Sequence, residues 1–191
     1  VNHPLVILRT LDSFLTRETR IVLYGRAALA LGFAGAPAEF GVTRDVDAIL
    51  PATEMAVIEA DEQFWQALDR TNQELEPSGL YMTHLFVDEQ VILLPQWMDG
   101  IVPLPVSGLE HLRVYRPSVL DLVLTKMMRR DPQDLADIKF LLRQESFTEA
   151  QIVDAFTRAR CPDIDEIRAA FVAMQPKVLE LVRCEGAPAR P

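Results

Sequence analysis

The chain has little of what several protein classes require. It holds two cysteines in 191 residues, Cys161 and Cys184. Both come late and lack metal-ligand spacing, which excludes a disulfide scaffold and a thiolate metal cluster and points to ordinary thiols in a reducing compartment. Histidine is equally scarce. His3, His84 and His111 lie far apart and follow no ligand or triad pattern, so each reads as a hydrogen-bonded or partly exposed residue. No apolar run approaches the roughly 20 residues that a membrane-spanning helix needs. The opening Val1-Asn2-His3-Pro4-Leu5 has neither the basic region nor the cleavage site of a secretory signal, so a cytoplasmic location and no membrane partner are expected. Basic residues are outnumbered, 19 Lys and Arg against 28 Asp and Glu for a net charge of −9, which argues against a general nucleic-acid coat protein. There is no serine-centred elbow and no complete phosphate-binding P-loop, so hydrolase and P-loop kinase readings are poor.

What remains is globular: 49% hydrophobic and 25% charged residues, long enough for one core or a core with an appendage. Its most informative stretch is Thr43-Arg44-Asp45-Val46-Asp47-Ala48-Ile49-Leu50. On a β-strand, residues i and i+2 share a face, so Asp45 and Asp47 project together while Val46 faces the core. Two carboxylates at about 4 Å repel by roughly 4 kcal/mol at an effective dielectric near 20. Such a pair shares a proton, meets a basic partner or binds a cation. A hard divalent ion suits it, because Mg²⁺ takes one or two carboxylates and keeps positions for substrate phosphates. The plain alternative is a solvated strand edge.

Upstream, Ile21-Val22-Leu23-Tyr24 reads as a buried strand that ends at Gly25-Arg26 and passes into the helix former Ala27-Ala28-Leu29-Ala30-Leu31. A strand, a glycine and a helix N-terminus in succession can receive a phosphate on backbone N–H groups. In the second half, Asp121-Leu122-Val123-Leu124-Thr125-Lys126-Met127-Met128-Arg129-Arg130 is followed by Asp131-Pro132-Gln133-Asp134-Leu135-Ala136-Asp137-Ile138.

Taken in order over residues 21–142, these motifs resemble the nucleotidyltransferase superfamily with the polymerase β-type core. More narrowly, the chain resembles the AbiEii-like toxin nucleotidyltransferases and related uncharacterised bacterial families. The resemblance implies Mg²⁺-dependent transfer, with Mn²⁺ as the alternative ion, of a nucleoside monophosphate from a nucleoside triphosphate to an RNA, protein or small-molecule acceptor. It implies metal binding and catalysis by Asp45 and Asp47, with Asp134 or Asp137 as a further carboxylate. Gly25 and Arg26 would position phosphates, and Lys126, supported by Arg129 or Arg130, would bind the triphosphate. A toxin–antitoxin or phage-defence setting also comes from it. Two departures stand out: Arg26 replaces the family's small Gly or Ser, and the apparent later strand Val91–Leu94 holds no carboxylate. They support the rival reading of a catalytically degenerate scaffold that acts as a binding or regulatory module. A third reading makes the chain an interaction subunit docking through its last helices.

The expected fold is α/β (α+β), a small mixed sheet with flanking helices and a helical C-terminal portion. Residues 1–116 form the nucleotidyltransferase-like core, 117–185 a helical subdomain and 186–191 a tail. Helices are expected over 4–17, 54–71 with Thr53 as N-cap, 117–130, 133–144, 148–160 and 163–183. Leu80–Val87 and Val91–Leu94 read as a hairpin, and His111–Tyr115 as a further strand. Charge is uneven: Asp45–Glu76 holds nine acids and one base, whereas Arg116–Arg143 holds six bases and four acids. On a helix over 117–130, Lys126, Arg129 and Arg130 share a face at i, i+3 and i+4. They either bind phosphate or pair internally with Asp134 and Asp137.

Overall fold

The computed structural model describes residues 2–186. The chain divides into two compact units: one runs to Asp88 and takes in Ile101–Arg116, the other joins Glu89–Gly100 to the chain from Pro117 onward.

The first unit is built on a mixed five-stranded sheet. Its strands are β1 (Thr19–Tyr24), β2 (Asp47–Leu50), β3 (Leu85–Val87), β4 (Val102–Pro103) and β5 (Leu112–Arg116), in the order β3-β2-β1-β5-β4. The central β1 pairs antiparallel with β2 and parallel with β5, while β2 pairs parallel with β3. Ile21, Val22 and Leu23 are all buried, as a central strand covered on both faces requires. Helix α1 (His3–Phe14) starts where the Asn2 side chain accepts from the Leu5 amide, and it buries Ile7, Leu8 and Leu11. Each such side chain contributes about 1.5–3 kcal/mol by leaving water. Asp12, on the same helix, accepts the backbone N–H groups of Glu110, His111 and Leu112 at 2.7–2.9 Å. It thereby anchors the start of β5. Helix α2 (Gly25–Gly32) follows β1 without a linker.

Two expectations change in this unit. The helix expected over 54–71 is two helices, α3 (Met55–Glu59) and α4 (Glu62–Leu75), because the Asp61 side chain caps the Phe64 amide and restarts the helix. Leu80–Val87 is not one strand. The Asn72 side chain bonds both backbone groups of Met82, interrupting the ladder between the Tyr81 bridge and β3.

The hairpin of Leu80–Val87 with Val91–Leu94 does not form. Val91, Ile92 and Leu93 are buried in the second unit, where Leu93 pairs with Arg160 and the Leu94 amide donates to Asp121. Three successive buried residues fit no half-exposed hairpin strand, whose side chains would alternate. Helices α5 (Val119–Thr125), α6 (Pro132–Leu142), α7 (Glu149–Arg158) and α8 (Asp165–Gly186) make up the rest. Ser118 caps α5, and Thr148 with Gln151 forms a capping box on α7. Gly186 closes α8; the remainder of the expected tail lies outside the described residues. Helix α5 ends at Thr125 rather than reaching Arg130, so Lys126, Arg129 and Arg130 do not share one helical face. Among the described residues, no helix is long and apolar enough to cross a membrane.

Candidate functional site

The antiparallel register of β1 and β2 sets Tyr24 opposite Asp47. The next residue, Gly25, opens α2 with φ +66°, a left-handed conformation that glycine adopts without the penalty of a Cβ. A Cβ on Gly25 would stand 2.9 Å from Asp47 Oδ2. The helix therefore begins directly against the carboxylate, and only the missing side chain allows the approach. Tyr24 supplies no side-chain cap to α2. The first amides of a helix have no intrahelical acceptor, and its positive end favours carboxylate or phosphate oxygens.

Asp45 lies just before β2, in a bridge with Tyr81, and buried Val46 points to the core. Asp45 and Asp47 thus project together as alternation requires. Thr43 Oγ1 donates to Asp45 Oδ1 at 2.6 Å. Parallel pairing then brings in a residue that the sequence reading set aside. The Ala48 amide donates to the His84 carbonyl at 3.0 Å, and the His84 ring reaches Asp47 Oδ1 through Nδ1 at 3.1 Å. One ligand atom each from Asp45, Asp47 and His84 lie within 4.8 Å of one another. Two carboxylates and an imidazole are a donor set that fits a divalent cation. The signal for His84 was its place at the head of a strand parallel to β2, which the hairpin expectation concealed.

Arg26 is half-buried, its guanidinium 5.3 Å from the centre of the Phe40 ring, within cation–π range. Phe40 belongs to the short 3₁₀ turn Ala38–Val42 that α2 packs beside.

Of the remaining expected residues, Lys126, Arg129, Asp134 and Asp137 cluster inside the helical unit. Lys126 is buried, its Nζ 2.6 Å from Asp137 and 3.3 Å from Asp134. Arg129 grips the same Asp134 with Nε at 2.5 Å and Nη2 at 3.3 Å. Asp134 and Asp137 are themselves fully buried, and each faces the Lys126 ammonium. Arg130 turns elsewhere and donates to the Ala169 carbonyl. On α5, burial pushes the Asp121 carboxyl above its ordinary range, against the opposing bonds from Ser118 and the Leu94 amide.

A family model described as nucleotidyltransferase of unknown function (DUF6036) matches residues 7–147. The match spans well over half of the chain, which belongs to this family. Neither the curated proteins nor the solved structures gave a match.

Proposed function

Starting from that membership, we propose that this protein transfers a nucleoside monophosphate from a nucleoside triphosphate, using the edge formed by Asp45, Asp47 and the start of α2. The observation that carries the reading is the apposition of Gly25 to Asp47, a helix N-terminus beside a carboxylate, which supports phosphate binding next to a metal. A divalent cation held by Asp45 and Asp47, Mg²⁺ or Mn²⁺, would supply Lewis-acid stabilisation of charge on the attacking and leaving oxygens. The protein's own groups prepare that position. Thr43 holds Asp45 through Oδ1, the His84 ring meets Asp47 at Oδ1, and Gly25 places no side chain of its own against Asp47 Oδ2. In the transfer, an acceptor oxygen bonds to the α-phosphorus, the bond to pyrophosphate breaks, and the hydroxyl proton leaves to water. The toxin-type likeness of the 121–138 motif supports an RNA or protein hydroxyl as acceptor, in a toxin–antitoxin or phage-defence setting.

A second reading, a nucleotidyltransferase fold kept as a binding module, draws on Lys126. The geometry gives its ammonium two buried aspartates within the helical unit, so internal pairing is the role it supports. One experiment separates the readings. Incubation with each ribonucleoside triphosphate labelled at the α-phosphorus, together with cellular RNA and protein, is expected to leave label on one macromolecular class. Label at the γ-phosphorus should not transfer, and Asp45→Asn/Asp47→Asn should abolish the signal. Nucleotide binding without transfer to any acceptor would favour the binding module.

A further inference from the structure

The imidazole of His84 is half-exposed, yet four groups hold it. It stacks on Phe86 with centroids 5.8 Å apart and planes at 27°, and lies T-shaped to the Tyr81 ring with centroids 6.4 Å apart. Its Nδ1 reaches Asp47 at 3.1 Å, and its carbonyl is tied to the Ala48 amide. Phe86 is braced in turn by the edge of Tyr24, the residue opposite Asp47 in the sheet. A surface histidine with only a solvated ion pair would not need an aromatic platform on one side and a backbone register on the other. Here both fix the ring where its donor atom converges with those of two carboxylates.

We infer that His84 is the third protein ligand of this site, and that the resulting two-carboxylate, one-imidazole set selects Mn²⁺ over Mg²⁺. The inference rests on the proposed metal role of Asp45 and Asp47. It adds a third donor beside the two carboxylates, and a consequence for the ion. Mg²⁺ favours an all-oxygen octahedron and releases water reluctantly, so an imidazole contributes little to holding it. Mn²⁺ stands lowest in affinity among the first-row transition ions but is softer than Mg²⁺, so a nitrogen donor beside two carboxylates adds more to its binding than to that of Mg²⁺. The neighbouring geometry favours a protein-held ion over one carried wholly by nucleotide. Asp45 Oδ1 is engaged by the Thr43 hydroxyl, and Asp47 Oδ2 is confined by Gly25. The carboxylates are thereby oriented before any ligand arrives.

The test is a Mn²⁺ titration of the full chain followed by electron paramagnetic resonance, with pulsed measurements on protein carrying ¹⁵N-labelled histidine. The expected result is one tightly bound Mn²⁺ with a directly coordinated histidine nitrogen, absent in His84→Gln. That variant is expected to weaken Mn²⁺ about tenfold or more and Mg²⁺ by less than about threefold, read by competition. His84→Asp, which makes the set all-oxygen, is expected to move the preference toward Mg²⁺. Circular dichroism checks that both variants fold, as the exposure of the ring allows. Mn²⁺ bound through Asp45 and Asp47 without histidine coupling, or equal losses for the two ions, would overturn the role of His84 and leave the carboxylate site standing. Failure of the folded wild type to bind Mn²⁺, or binding that survives Asp45→Asn/Asp47→Asn, would overturn both.

Discussion

Replacing Gly25 by alanine tests the closest approach in the candidate site, and its cost has two separable parts. The backbone at φ +66° penalises any Cβ by about 1–2 kcal/mol. The new methyl would also stand 2.9 Å from Asp47 Oδ2, and overpacking of this kind adds about 1–3 kcal/mol. Only the second part depends on Asp47. Its Cγ and Cβ lie 3.8 and 3.9 Å from the same point, which is ordinary van der Waals contact. In an Asp47→Ala background the clash therefore disappears and the backbone term stays. Gly25→Ala is expected to destabilise the first unit by about 2–5 kcal/mol in the wild type and by about 1–2 kcal/mol beside Asp47→Ala. The difference is the coupling energy of the pair. Urea unfolding followed by hydrogen exchange of the β1 and β2 amides reports on the unit that carries the change. Equal costs in the two backgrounds would refute the close approach, and a cost below about 0.5 kcal/mol would refute the left-handed turn itself.

Two predictions concern buried charge elsewhere. At Asp12, burial pushes the carboxyl up, but the amides of Glu110, Leu112 and His111, with the charge of His111, outweigh it and hold the group below its ordinary value. A lowered folded pKa gives stability that is present above the unfolded value of about 3.9 and lost as pH falls through the folded one. Asp12→Asn is expected to lose about 1–3 kcal/mol at neutral pH and to show a shallower acid-denaturation profile than wild type. A parallel profile would contradict the assignment. Lys126→Met takes the ammonium from fully buried Asp137 and is expected to cost about 3–5 kcal/mol in thermal denaturation, largely recovered by adding Asp137→Asn. Unchanged stability with lost triphosphate affinity would instead return Lys126 to nucleotide binding.

The parts of the molecule legible from sequence are those whose determinants are local. The run Ile21–Tyr24 declares a central strand, Gly25 declares the turn, and alternation across Asp45-Val46-Asp47 places both carboxylates on one face. Boundaries decided by side-chain capping were harder. Asp61 outcompetes Thr53 because its carboxylate meets the Phe64 amide, and nothing in the apolar spacing of 54–71 reveals that. Distant pairing was opaque. Val91–Leu94 has the composition of a strand, but Leu93 pairs with Arg160 and the Leu94 amide with Asp121, far along the chain. His84 was missed for the same reason, since its meaning depends on a parallel register with β2 that no neighbouring residue encodes. The Lys126 cluster falls in between. Its members are close in sequence, but the end of α5 at Thr125 decides that Lys126 turns to Asp137 while Arg130 turns to Ala169.

The most direct test of a nucleotide site at Asp45 and Asp47 is titration calorimetry of the full chain with each ribonucleoside triphosphate. It would be run with and without a divalent cation, beside a folded Asp45→Asn/Asp47→Asn variant. Binding of at least one nucleotide that requires the cation and is lost in the variant is expected. Binding that ignores the cation, or that persists without the two carboxylates, would contradict that site.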